Sequence, residues 1–98
     1  MNYVLIIHEV EDFAEWKKGF DEASAIRKTA GELSYQVLTY SDSPNKVVHY
    51  SLWNSHDHAK AFFESDEVKL IRKKLGVKKP DFIYLLSLIH ISEPTRPY

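Results

Sequence analysis

The sequence has no cysteine and only three glycines among its 98 residues. Without cysteine, disulfide staples, thiolate nucleophiles and cysteine-ligated zinc are excluded, and the chain suits a reducing compartment. The glycines stand far apart, so no glycine-rich phosphate loop is present. An excess of one charge is lacking too. Thirteen basic residues against fourteen acidic ones leave a net charge of −1, and no long-range field draws in nucleic acid or an anionic membrane. The early apolar run, Tyr3 to Ile7, is too short to cross a bilayer and has no basic leader or cleavage site. The expectation is a cytoplasmic protein with neither nucleic acid nor membrane as partner. What is present is ordinary: 44% hydrophobic, 28% charged and 13% aromatic residues make one globular domain. Folding hides roughly 65% of the surface of a chain this long, enough for a core without staples.

The domain is expected to span residues 1–86. After Leu85 the pattern changes, and Pro94 and Pro97 bar a regular strand or helix from the end of the chain. The string from Leu86 to Tyr98 also resembles the translated read-through of a transposase adapter used in sequencing libraries. That resemblance implies a non-native tail over residues 87–98 and a native C-terminus that is missing. It removes His90 from the candidates.

The preceding residues alternate strand and helix. Tyr3 to Val10 is rich in valine and isoleucine and reads as a strand. Asp12 then caps a helix, with Glu15 completing a capping-box-like pair. Phe13, Trp16, Phe20, Ala23, Ile26 and Ala30 form one stripe of a helix about eighteen residues long, ended by Gly31. Ser34 to Tyr40 is a second strand, Ser41 to Asn45 a turn, and Val47 to Trp53 a third strand. Ser55 caps a helix with Ala59, Phe62 and Phe63 inward. Ser65 or Asp66 restarts it, with Val68, Ile71 and Leu75 inward as far as Gly76. Pro80 leads into a last strand, Phe82 to Leu85. The order βαββαβ is the ferredoxin-like split motif, an α+β fold with a four-stranded antiparallel sheet.

A sheet with helices on one face should alternate cleanly, because its other face meets water. Here both faces are apolar. Val4, Ile6 and Val10 oppose Tyr3, Leu5 and Ile7; Val47 and Trp53 oppose Val48, Tyr50 and Leu52. One chain has helices for one face only, so a homodimer packed sheet to sheet is expected.

The string His8-Glu9-Val10-Glu11-Asp12-Phe13-Ala14-Glu15-Trp16 resembles the opening of the antibiotic biosynthesis monooxygenase-like, dimeric α+β barrel proteins. So do Ser43-Pro44-Asn45, Trp53-Asn54, Ala59-Lys60-Ala61-Phe62 and the Leu75-Gly76-Val77 turn. The resemblance runs from residue 3 to about residue 85 and is nearest to short stand-alone members often labelled cyclase. It implies the dimeric barrel, a pocket between helices and sheet in each protomer, and chemistry on a small molecule without a bound cofactor. Because this fold hosts several chemistries, it does not fix the reaction.

His8 ends the first strand, where Trp16 and Phe20, one helical turn apart, can wall a cavity. A histidine facing that wall can hold or move a proton, which makes His8 the catalytic candidate. The alternative is a strand-end histidine bonded to backbone, with Val10 rather than His8 toward the helices. Substrate-binding candidates are Trp16, Phe20, His49 and Trp53. His49 must find a partner in mid-strand, in the pocket or in the dimer seam, and it stands where the resembling proteins usually carry an apolar residue. His56 and His58 flank Asp57, but residues two apart on a helix diverge, so no metal site is expected. Haem degradation would need an axial histidine on the second helix, where the inward residues are Phe62 and Phe63. The basic cluster Lys69, Arg72, Lys73, Lys74, Lys78 and Lys79 suits the negative end of a helix dipole. An RNA-binding face would need glycine and aromatics in the third strand, which has no glycine. Two functions remain: a cofactor-independent monooxygenase or cyclase-like enzyme acting on a small aromatic or polyketide-like molecule, or a non-catalytic small-ligand-binding or regulatory dimer.

Overall fold

The computed structural model describes residues 1–88; His90, Pro94 and Pro97 lie outside the described residues. Strand β1 (Asn2–Glu9) leads into helices α1 (Phe13–Glu22) and α2 (Ser24–Ala30). The hairpin of β2 (Glu32–Tyr40) and β3 (Ser43–Trp53) follows, then α3 (His56–Phe63), α4 (Asp66–Lys74) and β4 (Lys78–Leu86). The sheet order is β2-β3-β1-β4, antiparallel throughout, the ferredoxin-like arrangement expected from the sequence.

Caps set the helix starts. Asp12 Oδ1 accepts from the backbone N–H of Ala14 at 2.9 Å, and the Oγ atoms of Ser55 and Ser65 accept from His58 and Val68. Each satisfies a donor the first turn leaves orphaned. The single long helix expected over 13–30 is instead two, broken at Ala23, whose backbone leaves the helical region (φ −90°, ψ 7°). Across the break Ala23, Ile26 and Ala30 still face inward as the stripe predicted, and Arg27 is buried beside them.

The hairpin turn is tighter than expected, since β3 already begins at Ser43. That places Asn45 beside the end of β1, where its Oδ1 accepts from Phe13 N at 3.0 Å and its carbonyl accepts from Val10 N at 2.9 Å. Thus Asn45 is a clamp on the β1–α1 junction. β4 also starts earlier, and Pro80 lies inside it. Proline is tolerated because β4 is an edge strand. Here the ladder slips: Ile7 faces Asp81 but Glu9 faces Lys78, so two residues of β4 oppose His8 alone. Lys79 takes the left-handed φ of 48° that this bulge needs.

On the helix-facing side Val4, Ile6, Val47, Ser51 and Trp53 are buried, and His8 and His49 are buried with them. The opposite face carries Tyr3, Leu5, Ile7, Val48, Tyr50 and Leu52, all half-buried, with Leu38 and Leu85 exposed. Both faces are apolar, as the strand pattern predicted. Among the described residues no helix is long and apolar enough to cross a membrane.

Gly31 closes α2 at φ 126°, and a Cβ there would stand 2.5 Å from Asn54 Oδ1. The Asn54 amide cannot retreat freely, because its oxygen also bonds the His58 ring at 2.8 Å. Gly31→Ala is therefore expected to cost about 2 kcal/mol, read as a lower denaturant midpoint in urea unfolding. An unchanged midpoint would contradict the tight Gly31–Asn54 approach.

Candidate functional site

The core is not continuous. One cluster gathers Val4, Ile6, Trp53, Ala59, Phe63 and Val68 under α3 and α4; the other gathers Val10, Trp16, Phe20 and Val47 under α1. Between them lies a cavity of about 80 Å³, walled by residues such as Trp16, Phe20, Phe63, Ile71 and Leu75. Four basic side chains also reach it: His8, Arg27, His49 and Arg72.

The bulge on β4 and the inward parity of β1 place His8 at the cavity floor. Its ring centroid lies 5.3 Å from that of Trp16, which stacks on Phe20 at 4.9 Å. His8 and Val10 both turn inward, so the alternative in which only Val10 faces the helices does not hold. Among the described residues neither imidazole nitrogen of His8 has a hydrogen-bond partner. A buried polar atom without a partner costs roughly 1–3 kcal/mol. Burial also holds the His8 pKa down at about 4 from 6.5, with coulombic contributions from His49 and Arg72. At neutral pH the ring is uncharged, so it offers the cavity one N–H and one lone pair.

His49 lies on the same face, diagonal to His8 across the β1–β3 pairing, in which Ile6 stands opposite His49 and Val47 opposite His8. Its Nε2 meets Glu32 Oε2 at 2.9 Å, and Arg27 Nε donates to Glu32 Oε1 at 2.9 Å. All three side chains are buried. Arg27 Nη1 donates to the Phe20 carbonyl, and the guanidinium sits 3.6 Å over the Phe20 ring. That leaves Arg27 Nη2 buried without a partner. The partner that a mid-strand histidine requires is therefore a carboxylate from the start of β2, within the protomer.

Three of the four expected binding residues, Trp16, Phe20 and His49, line the cavity with His8; Trp53 does not. The Trp53 indole is packed against Phe62 and Phe63, and its Nε1 donates to Ser51 Oγ at 2.8 Å, inside the larger half-core. Sequence reasoning missed Arg27 and Glu32, and it placed Arg72 in a solvated basic cluster. Arg72 instead turns into the cavity, donates to the Phe63 carbonyl at 2.9 Å and lies 5.1 Å over the Phe82 ring. A signal for Arg27 was available: positions 13, 16, 20, 23, 27 and 30 alternate steps of three and four, and the stripe chosen from the sequence took Ile26 instead.

The His56-Asp57-His58 trio diverges. His56 Nε2 donates to the Leu85 carbonyl at 2.9 Å, fastening α3 to the sheet, while the His58 ring turns to Asn54. Among the described residues, no group of three or more histidine, aspartate or glutamate side chains is placed to hold a metal.

The family model for antibiotic biosynthesis monooxygenase matches residues 8–74. A cofactor-independent oxygenase from Streptomyces nogalater, SnoaB, has a similar structure, with 16% identity, a TM-score of 0.76, and 94% of this chain and 97% of that one covered. The monooxygenase ActVA-Orf6 of Streptomyces coelicolor, solved with nanaomycin D, is similar at 18% identity and a TM-score of 0.64, covering 95% of this chain and 92% of that one. At these identities the likeness establishes the fold. No curated protein matches the sequence.

The state of His8 has a measurable consequence. Its folded pKa lies below the unfolded one, so the unfolded chain binds more protons between pH 6.5 and 4. The stability of neutral His8 is fully present above that window and is lost as the pH falls through it, by about 3 kcal/mol in all. In His8→Leu this part of the pH dependence should vanish from urea denaturation curves. Parallel profiles for the two proteins would contradict a buried, neutral His8.

Proposed function

The chain belongs to the antibiotic biosynthesis monooxygenase family, and on that footing we propose that it is a cofactor-independent monooxygenase for a small hydroxylated aromatic molecule. The observation that carries this reading is His8, buried against the Trp16–Phe20 wall with both ring nitrogens free for a ligand. The cavity of about 80 Å³ is small beside the ~300–1,000 Å³ usual for ligand pockets, which favours a compact substrate over an extended polycyclic one.

Magnitudes order the steps. A phenol near pKa 10 cannot simply lose its proton to an imidazole near 4; that gap of about six units is about 8 kcal/mol uphill. His8 therefore first accepts the hydrogen bond of the substrate hydroxyl. It takes the proton as electron density leaves the ring for O2, because a ring that is losing an electron has a far more acidic hydroxyl. The electrons come from the substrate itself. At a ring-activated CH2, one oxygen atom ends as the carbonyl and the other leaves as water with the two hydrogens. Trp16 and Phe20 hold the ring flat and keep water out.

The second face of the sheet supports a homodimer as the working form. Tyr3 and Tyr50 stack there at 5.1 Å with their rings 4° apart, flanked by aliphatic side chains. A second copy packing on it would close the barrel. The other reading, a non-catalytic small-ligand-binding or regulatory dimer, is favoured by one observation, the weak basicity of His8.

Oxygen uptake separates the two. Single-ring hydroquinones should consume O2 with the wild type faster than tricyclic anthrone-like phenols, and His8→Ala should lose about 10²-fold or more of the rate. Silence across the panel with ligand still bound would leave the binding protein. Sedimentation at micromolar concentration should show a dimer, and a monomer would contradict the account of the sheet.

A further inference from the structure

The cavity wall carries an imbalance of charge. Arg27 and Arg72 line it, and no carboxylate does among the described residues. Glu32 neutralises Arg27 from behind, using one oxygen for Arg27 Nε and the other for His49. Arg72 is half-buried and has no ion pair among the described residues; its guanidinium is held by the Phe63 carbonyl and the Phe82 ring. Burial accordingly draws the Arg72 pKa down. An apolar cavity with one uncompensated cation favours an anion. The unpartnered polar atoms say which kind. Arg27 Nη2 brings two N–H bonds, and neutral His8 brings one, in a space with room for a single small group. Two or three N–H donors suit the oxygens of a carboxylate.

We infer that the cavity takes a compact carboxylate, a single-ring aromatic acid whose oxygens meet Arg27 Nη2 and His8 and whose charge balances Arg72. This narrows the substrate class and rests on the cavity being the ligand site; it does not require the oxygenase step. The aromatic wall then accounts for the ring, the two guanidiniums for the acid.

The protein holds its own control for the test. Of its two tryptophans, Trp16 lines the cavity and Trp53 does not. Benzoate and its neutral isostere benzamide are titrated into the full chain at pH 7 while the two indole N–H resonances are followed by NMR. Benzoate should shift the Trp16 signal and leave that of Trp53 in place, with a Kd about tenfold below that of benzamide, the worth of a hydrogen bond to a charged donor. In Arg72→Gln the preference for benzoate over benzamide should fall to within about threefold.

Equal affinity for the two compounds in the wild type would overturn the inference without any variant being needed. So would a benzoate shift at Trp53 with none at Trp16, which would place the acid away from the Trp16 wall. If neither compound moved Trp16, the carboxylate inference and the cavity reading would fall together. If benzoate bound as expected while oxygen uptake stayed silent, the oxygenase reading alone would fall.

Discussion

A buried carboxylate has to be partnered, and Glu32, the first residue of β2, meets that requirement by tying four elements together. It holds Arg27 of α2 and His49 of β3, and Arg27 in turn reaches the Phe20 carbonyl of α1. Removing one member of such a buried set leaves an uncompensated charge, at about 3–5 kcal/mol. Two of its members, Arg27 and His49, stand where the smaller half-core would otherwise merge with the larger one. A continuous apolar core would be tighter. The polar set is what keeps the two apart and leaves space between them.

His8 occupies the same seam by a different route. The bulge on β4 sets two residues against it, and the parity of β1 turns it inward with Val4 and Ile6. Unlike His49 it has no hydrogen-bond partner among the described residues. The contrast divides the labour: the Glu32 network fixes the walls, and His8 faces whatever enters. Arg72 gives the seam its positive sign, and the same charge helps keep His8 neutral.

Much of this was legible in the sequence. The alternation of Val4, Ile6 and His8, the Trp16–Phe20 spacing and the caps at Asp12 and Ser55 are local signals, and strand order followed from βαββαβ. The two-faced strands were legible for the same reason, since side-chain parity is fixed by the pleat. What was hidden depends on long-range pairing. Glu32 looks like any polar residue after a helix-ending glycine; the register sets it opposite Trp53 on the inner face, and only its side chain, reaching along that face, meets His49. Arg27 was passed over because its neighbour Ile26 is the apolar residue, and a sequence does not show that both reach the cavity. Arg72 was read with its lysine neighbours because a sequence shows charge but not which way a helix face points. Trp53 shares a sheet face with His49, yet it is four residues further along, and that distance places it in the larger half-core rather than at the seam.

The central claim is that the gap between the half-cores is a ligand site with His8 at its floor. A crystal structure of the protein grown with para-hydroxybenzoate tests this most directly. The account predicts the ring stacked along Trp16 and Phe20, with one ligand oxygen about 3 Å from a His8 ring nitrogen and another on Arg27 Nη2. A gap filled by ordered water alone, with water on both His8 nitrogens and the acid elsewhere or absent, would contradict it.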